Sequence, residues 1–279
     1  MLDPRWNTWI FDNLTRGSAP GHLVAQMERA GIAAAEAQAA VRDALTGKRP
    51  NVVTQASTPA AARPDCWPAH YPFRQRSEAT FEGQRLRQLV RLEDPAIALI
   101  EGVLSADECE ALIAAARPQM KRAEIIDAVT GEYRPDPVRT SDSAVVDTTQ
   151  FPLLPRIEAR LAWLMACEPS HLETLQILRY RVGGEFRPHM DAFDKPSAEG
   201  GQRTATLVIY LADVELGGTT VFPEQGLGVA PSRGMGVYFA YGDAAGRMDP
   251  RLLHAGAPLL SGEKWVATQW IRDRPFRLG

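Results

Sequence analysis

The sequence predicts a mainly β fold with flanking helices, preceded by a small helical region. Three observations carry that expectation. Short runs rich in β-branched and aromatic residues recur toward the C-terminus, at Thr174 to Val182, Arg203 to Leu211, Thr219 to Phe222, Met235 to Tyr241 and Lys264 to Ile271. Glycines punctuate these runs at Gly183-Gly184, Gly217-Gly218, Gly234, Gly242 and Gly262, as turns between strands require. Two helical stretches come first. Ser105-Ala106-Asp107-Glu108 has the capping-box pattern ahead of an apolar face of Cys109, Leu112, Ile113 and Ala116, and a second helix is expected from about Pro152 to Ala166. Many short strands with helices packed outside them indicate a sandwich or barrel.

The N-terminal region reads differently. Residues 1–46 predict three short helices. In the first, Asp3-Pro4 forms a cap and Trp6, Ile10 and Leu14 recur at helical spacing up to Gly17; the second runs from Ser18 and Pro20 to Gly31, and the third from Ala33 to Leu45. Such a module buries little surface alone. Residues 47–84 are rich in Pro, Ala, Thr, Ser and Arg without a period and read as a linker, partly docked through Trp67, Tyr71 and Phe73. Residues 85–279 form the main domain.

Composition excludes several classes. With 279 residues, 45% hydrophobic and 23% charged, the chain is an ordinary globular one, and disorder is not its main state. A formal charge of −3 supplies no broad basic field for phosphate backbones, so nucleic acid is not an expected partner. The start carries an early acid and no basic-then-apolar run, and no segment approaches the roughly 20 apolar residues of a membrane span. A cytoplasmic protein with no membrane partner is the expectation. Cys66, Cys109 and Cys167 form no CxxC pair and read as free structural thiols.

Five histidines are present, and two stand in chemically suggestive settings. In Arg187-Pro188-His189-Met190-Asp191, a His and an Asp two apart on an extended segment face the same side, so both can reach one metal ion. A second His from a distant strand would complete two imidazoles and a carboxylate on one face of an octahedron, the arrangement of non-haem Fe(II) oxygenases. An H-x-D pair alone is weak, because such pairs are commonly just solvated. The second cluster is Leu253-His254-Ala255-Gly256, followed by Gly262-Glu263-Lys264-Trp265. If His254 ends one strand and Lys264 begins its antiparallel neighbour, the ammonium lies behind the metal, and a dicarboxylate fits between them with its far end paired to Lys264.

From about Pro95 to Phe276 the sequence resembles the catalytic domain of the prolyl 4-hydroxylase alpha-subunit family of Fe(II)/2-oxoglutarate dioxygenases. The residues that carry the resemblance are Arg139-Thr140-Ser141, Tyr180 with Gly183-Gly184, His189-x-Asp191, Gly201-Gln202-Arg203-Thr204-Ala205-Thr206, Gly217 through Pro223, and His254 through Trp270. The resemblance implies a double-stranded β-helix, a jelly-roll or cupin-like barrel. It makes His189, Asp191 and His254 the iron ligands and Lys264 the anchor of the distal 2-oxoglutarate carboxylate, with Tyr180 and Tyr210 as co-substrate pocket residues. It places Arg203 and Trp270 where they shape the catalytic site, and Arg139-Thr140-Ser141 in a loop that covers substrate. Fe(II), 2-oxoglutarate as co-substrate and O2 are the implied cofactors, and ascorbate is admitted as a further one.

The implied reaction is hydroxylation of a C–H bond with release of succinate and CO2, the substrate being a proline in a peptide or protein. Asp191 favours hydroxylation over halogenation, since related halogenases carry a small residue there. Phe186 departs from the tyrosine that many prolyl hydroxylases have three residues before the first iron ligand, which bears on the substrate and not on the metal. Residues before about 85 lie outside the resemblance. A free amino acid or other small metabolite is the alternative substrate. A non-catalytic metal- or peptide-binding module and a zinc hydrolase on a similar barrel are alternatives of other classes, and both leave Lys264 unexplained.

Overall fold

The computed structural model describes residues 10, 20–29, 32–45, 67–126, 133–135, 140–149, 151–193, 196–197, 200–242 and 248–276. The chain divides into two compact units, Met1–Ala62 and Arg63–Gly279.

In the first unit, helices α1 (Pro20–Arg29) and α2 (Ala34–Leu45) bury Leu23, Met27, Ala37 and Val41 together with Ile10. Pro20 opens α1 at the position where a missing N–H costs nothing. The expected first helix lies outside the described residues apart from Ile10.

The second unit starts before the main domain that the sequence delimits at residue 85. Trp67, Tyr71 and Phe73 are buried in its core, with Trp67 and Tyr71 packed 5.6 and 6.0 Å from the ring of Tyr238. Strand β1 (Glu78–Phe81) falls inside the stretch read as linker and pairs with β2 (Gln84–Leu92), which pairs with β3 (Ala96–Glu101). Three strands were thus not anticipated. The polar side of β2 explains why: Arg85 and Arg87 break its apolar pattern but bond across the ladder to Glu78 and Glu101.

The chain continues through α3 (Ala106–Ala116), the short strands β4 (Lys121–Arg122), β5 (Glu124–Ile126) and β6 (Tyr133–Pro135), β7 (Asp142–Val145) and α4 (Leu154–Met165). Then come β8 (Gln176–Tyr180), β9 (Phe186–His189), β10 (Arg203–Tyr210), β11 (Leu216–Gly217), β12 (Thr220–Phe222) and β13 (Leu227–Val229). The last are β14 (Gly236–Ala240), β15 (His254–Gly256), β16 (Leu259–Ser261) and β17 (Lys264–Arg272).

Among the described residues, one sheet of nine strands runs β1-β2-β3-β14-β10-β17-β8-β7-β4, and one of four runs β13-β12-β15-β9. The larger sheet has two distinct faces because side chains alternate along each strand. Odd-numbered residues of β10 and β17, such as Leu207, Ile209, Ala267 and Ile271, join Leu112 of α3 and Ile157, Leu161 and Leu164 of α4 in one core. Even-numbered residues of β17, namely Lys264, Val266, Thr268 and Trp270, line a cavity together with His189 and His254 from the smaller sheet. The architecture is the expected jelly roll: two sheets with a site between them, and helices on the outside of one.

Cys109 and Cys167 are free thiols, and burial pushes both up to about 12, so neither is a reactive thiolate at neutral pH; Cys66 lies outside the described residues. No described helix is long and apolar enough to cross a membrane.

The capping box at Ser105 forms as expected, and Glu108 does a second job. Arg160 of α4, 1% exposed, donates to both carboxylate oxygens of Glu108 at 2.7 and 2.8 Å and to the Val103 carbonyl at 3.0 Å. Arg160→Ala leaves a half-buried carboxylate without its guanidinium partner and empties a fully buried site in the core. The expected loss is about 3–5 kcal/mol of stability, read as a lower urea midpoint at unchanged slope. A loss under about 1 kcal/mol would show that the pair does not tie α3 to α4.

Candidate metal and co-substrate site

The site begins with a ladder. β9 and β15 are antiparallel neighbours in a register that sets His189 opposite His254, with ring centroids 4.3 Å apart. Asp191 follows β9 in a bend, so its approach comes from the turn of the chain and not from the strict alternation of a strand. Its Oδ1 lies 3.6 Å from His189 Nε2, and its Oδ2 lies 3.6 Å from His254 Nε2. One ligand atom from each residue falls within 4.8 Å of the others. Those 3.6 Å separations are too long for good hydrogen bonds. They approach the spacing of about 3 Å between adjacent octahedral ligands at about 2.1 Å from a metal.

The surroundings fix which atoms are offered. His189 Nδ1 lies 2.8 Å from the Arg187 carbonyl, and His254 Nδ1 lies 3.1 Å from the Leu252 carbonyl. A carbonyl only accepts, so each Nδ1 carries a proton, and Nε2 is the nitrogen that each ring turns toward Asp191. Burial lowers His254 to about 4, which keeps that imidazole neutral at physiological pH. Burial opposes charge on Asp191, but His254, His189 and Arg203 outweigh it and hold the carboxyl well below its ordinary value. Thr206 donates to Asp191 Oδ2 at 2.7 Å, and Tyr241 OH lies 3.2 Å from Thr206 Oγ1. Because the Thr206 proton is committed to Asp191, Tyr241 is the donor of that second bond. Phe186 stacks on His189 with centroids 3.5 Å apart, so the ring that replaces the familiar tyrosine packs against an imidazole.

Lys264 reaches the same cavity from the other sheet. His254 begins β15 and Lys264 begins β17, and these strands are not neighbours: β15 pairs with β9 and β12, whereas β17 pairs with β8 and β10. The adjacency expected from sequence is therefore replaced by an approach from opposite walls. The Lys264 ammonium is buried and donates to the Gly218 carbonyl at 2.6 Å; among the described residues it has no carboxylate partner. Gly218 has φ +67°, and a Cβ there would stand 3.1 Å from Lys264 Cδ, so glycine is needed both for the turn and for the approach. Desolvation lowers Lys264 to about 8.

The remaining sequence candidates separate. Tyr180 is opposite Lys264 in the β8–β17 register, lines the cavity, and has its ring centroid 5.4 Å from Nζ. Tyr210 stands behind the cavity lining, with its ring centroid 5.7 Å from Lys264 Nζ. It is fully buried, and its hydroxyl donates to Thr220 Oγ1 at 2.8 Å, so Thr220 faces the cavity in its place. Trp270 lines the cavity, and its indole N–H has no partner among the described residues. Arg203 stays outside. It is held by Glu173 through bonds of 2.6 and 2.8 Å, stacks 3.7 Å over the Trp270 ring and lies 3.5 Å from the Asp191 carbonyl, which makes it a positioning residue. Arg139 lies outside the described residues, Ser141 is fully buried, and Thr140 bonds the Glu185 backbone through its N–H and its hydroxyl.

Three contributors carry no role in the sequence reading: Thr206, the Gly218 carbonyl, and Gln202. The Gln202 side-chain amide accepts from Phe193 N and donates to Phe193 O, both at 2.8 Å, clamping the segment that follows Asp191. The polar residues at 202–204 and 206, at the start of an otherwise apolar strand, were the available signal.

Two outcomes follow from this geometry. Asp191→Ala removes the only anion of the donor set, so Fe(II) or Co(II) affinity measured calorimetrically should collapse; unchanged affinity would remove Asp191 from the ligands. Lys264→Ala should weaken 2-oxoglutarate binding by roughly two to three orders of magnitude, from about 3–5 kcal/mol for an abandoned buried charge, with metal affinity nearly intact. The pH profile has a definite sign. Because Lys264 in the fold loses its proton at about 8 instead of near 10.5, 2-oxoglutarate affinity should fall as pH rises past about 8, while this group's contribution to stability rises over the same window. A flat affinity profile from pH 7 to 9.5 would place the anchor elsewhere.

Comparison with known proteins agrees with this arrangement. Residues 175–272 match the 2OG-Fe(II) oxygenase superfamily. The chain is 35% identical over 197 residues to prolyl 4-hydroxylase 1 of Arabidopsis thaliana, covering 64% of this chain and 70% of that protein. It is 35% identical over 188 residues to the human prolyl 4-hydroxylase subunit alpha-1, covering 65% of this chain but only 35% of that subunit. The solved structure of a viral collagen prolyl hydroxylase from Paramecium bursaria Chlorella virus-1, in complex with 2-oxoglutarate, superposes with TM-score 0.51 at 28% identity, over 63% of this chain and 95% of the viral one. The chain belongs to the 2OG-Fe(II) oxygenase superfamily, in the group that contains the prolyl 4-hydroxylases, and is a 2-oxoglutarate-dependent dioxygenase.

Proposed function

We propose that this enzyme hydroxylates a proline residue in a peptide or protein, with Fe(II) held by His189, Asp191 and His254 and 2-oxoglutarate anchored by Lys264. The observation that carries the co-substrate half of this reading is the buried Lys264 ammonium. It has one backbone acceptor, no counter-charge among the described residues, and a place in the same cavity as the three candidate ligands. A dicarboxylate is the ligand that such a cavity lacks: one end suits a metal, the other an ammonium.

The donor set fits Fe(II), since two imidazoles and one carboxylate leave positions open for a chelating co-substrate and O2. Bound there, iron supplies the oxidising chemistry, which is coupled to conversion of 2-oxoglutarate to succinate and CO2. The chain does the rest. Backbone carbonyls fix both imidazole tautomers, Thr206 orients the carboxylate, and Val266, Leu178 and Trp270 give the cavity walls that exclude water. The prolyl substrate is supported by the names of the relatives, which are prolyl hydroxylases. Phe186 removes a phenolic hydroxyl from the cavity edge without altering the donor set.

The test is succinate release from the Fe(II)-loaded enzyme with a panel of proline-containing peptides, free proline and other free amino acids, the product being located by mass spectrometry. A gain of 16 Da on proline within a peptide is the expected result. Oxidation of free amino acids alone would reassign the substrate to small metabolites, and no succinate release with any substrate would overturn the proposed reaction.

A further inference from the structure

A second concavity lies at the edge of the larger sheet, beside the turn between two residues that line the catalytic cavity, Tyr180 and Phe186. Arg122 is opposite Asp142 in the β4–β7 register, and Asp142 is opposite Arg179 in the β7–β8 register, so the three stand in one row on one face. With Thr140, Arg181 and Gly183 they line a groove of about 350 Å³. Two guanidinium groups share the one carboxylate there, and a third stands opposite it in register. Arg179 donates to Asp142 Oδ2 at 2.7 Å, Arg181 Nη2 lies 3.7 Å from the same oxygen, and no acidic side chain of the described residues pairs with Arg122. Glu263 adds a distant contact to Arg179 alone, at 3.8 Å. Arg122 and Arg181 are exposed and have donors to spare.

The position of this charge matters more than its amount. The chain carries a net −3, so a local excess of arginine is not part of a general basic surface. Its wall is the turn between β8 and β9. Tyr180, just before that turn, and Phe186, at its end, both line the catalytic cavity, whereas Arg181, Gly183 and Gly184 between them line the groove. An extended polypeptide advances about 3.3 Å per residue, so a chain with one residue in the cavity carries its near neighbours across this turn.

We propose that the groove is a carboxylate subsite for substrate: it takes the side chain of an Asp or Glu a few residues from the target residue, against Arg122 and Arg181. The proposal rests on the reading of the substrate as a peptide or protein. The planar guanidinium fork matches a carboxylate in two-point geometry, and the exposed setting makes the effect one of selectivity and not of absolute affinity.

The experiment uses the full chain with Fe(II) and 2-oxoglutarate. Proline peptides are made in pairs that differ only in Glu against Gln, at each of the four positions on either side of the proline, and are also followed by fluorescence anisotropy. In one register the Glu member should have a KM lower by about threefold to tenfold, an advantage that shrinks at high salt. In the double variant Arg122→Gln/Arg181→Gln, the ratio within that pair should fall to near one. Hydroxylation of both members with equal KM in every register overturns the subsite and leaves the hydroxylase reading intact, and so does a Glu advantage that persists in the double variant. If no peptide is hydroxylated, a salt-sensitive Glu advantage in anisotropy that the double variant loses still supports the subsite while the peptide hydroxylase reading fails. Equal anisotropy within every pair overturns both.

Discussion

Strand β17 lies between β10 and β8 with all nine of its residues buried, so its backbone polar groups have no recourse to water and must be met by neighbours. That pairing decides much else. It forces alternate side chains into two different dry environments, one facing helices and one facing the catalytic cavity. Trp265, Ala267 and Ile271 supply the apolar body on one side. On the other, Lys264 and Trp270 are delivered to the cavity at fixed depths, because strand residues two apart are spaced by the pleat and not by side-chain choice. The smaller sheet then needs only to bring β9 and β15 into register for two imidazoles to face the same space.

Charge is distributed unevenly within this frame. On the Asp191 side, Glu173 is shared by Arg203 and Arg272, each through contacts of 2.6 Å, and the two guanidinium groups sit 4.8 and 4.6 Å from the ring of Phe193. Gln202 clamps the same residue by its backbone. The segment that carries the carboxylate is therefore braced from several directions. Among the described residues Lys264 has no carboxylate beside it, only the Gly218 carbonyl and the rings of Tyr180 and Tyr210. The fold compensates its buried charges where rigidity is required and leaves one ammonium uncompensated where a ligand belongs.

Much of this was legible in sequence for physical reasons. Strands β8, β10, β12 and β14 fall within the runs of β-branched and aromatic residues and β17 passes its run by one residue, while α3 follows its cap and apolar face and α4 falls within the span expected for it. His189, Asp191 and His254 come together as the spacing and the resemblance indicated. What escaped was information held in the third dimension. The β2 strand hides behind arginines that glutamates on other strands neutralise, and the aromatic segment at Trp67 and Tyr71 reads as linker until Tyr238 is there to receive it. Tyr210 meets the site only through its ring, 5.7 Å from Lys264 Nζ, because its hydroxyl is spent on Thr220, whose shorter side chain lines the cavity. Sequence separation also misled for His254 and Lys264, since β16 intervenes and carries the chain from one sheet to the other.

The bond from Thr206 to Asp191 has a further meaning for how the carboxylate is shared. With Oδ2 already accepting a hydroxyl proton, and that hydroxyl supported by Tyr241, the two oxygens of Asp191 cease to be equivalent. Oδ1 becomes the free donor, and rotation of the carboxylate to offer both oxygens would break the chain of bonds behind it. Held in this way, the side chain would offer a metal Oδ1 in preference to Oδ2. Ligation through that one oxygen would take one coordination position where two oxygens would take two, and leave the other to the molecules that must react.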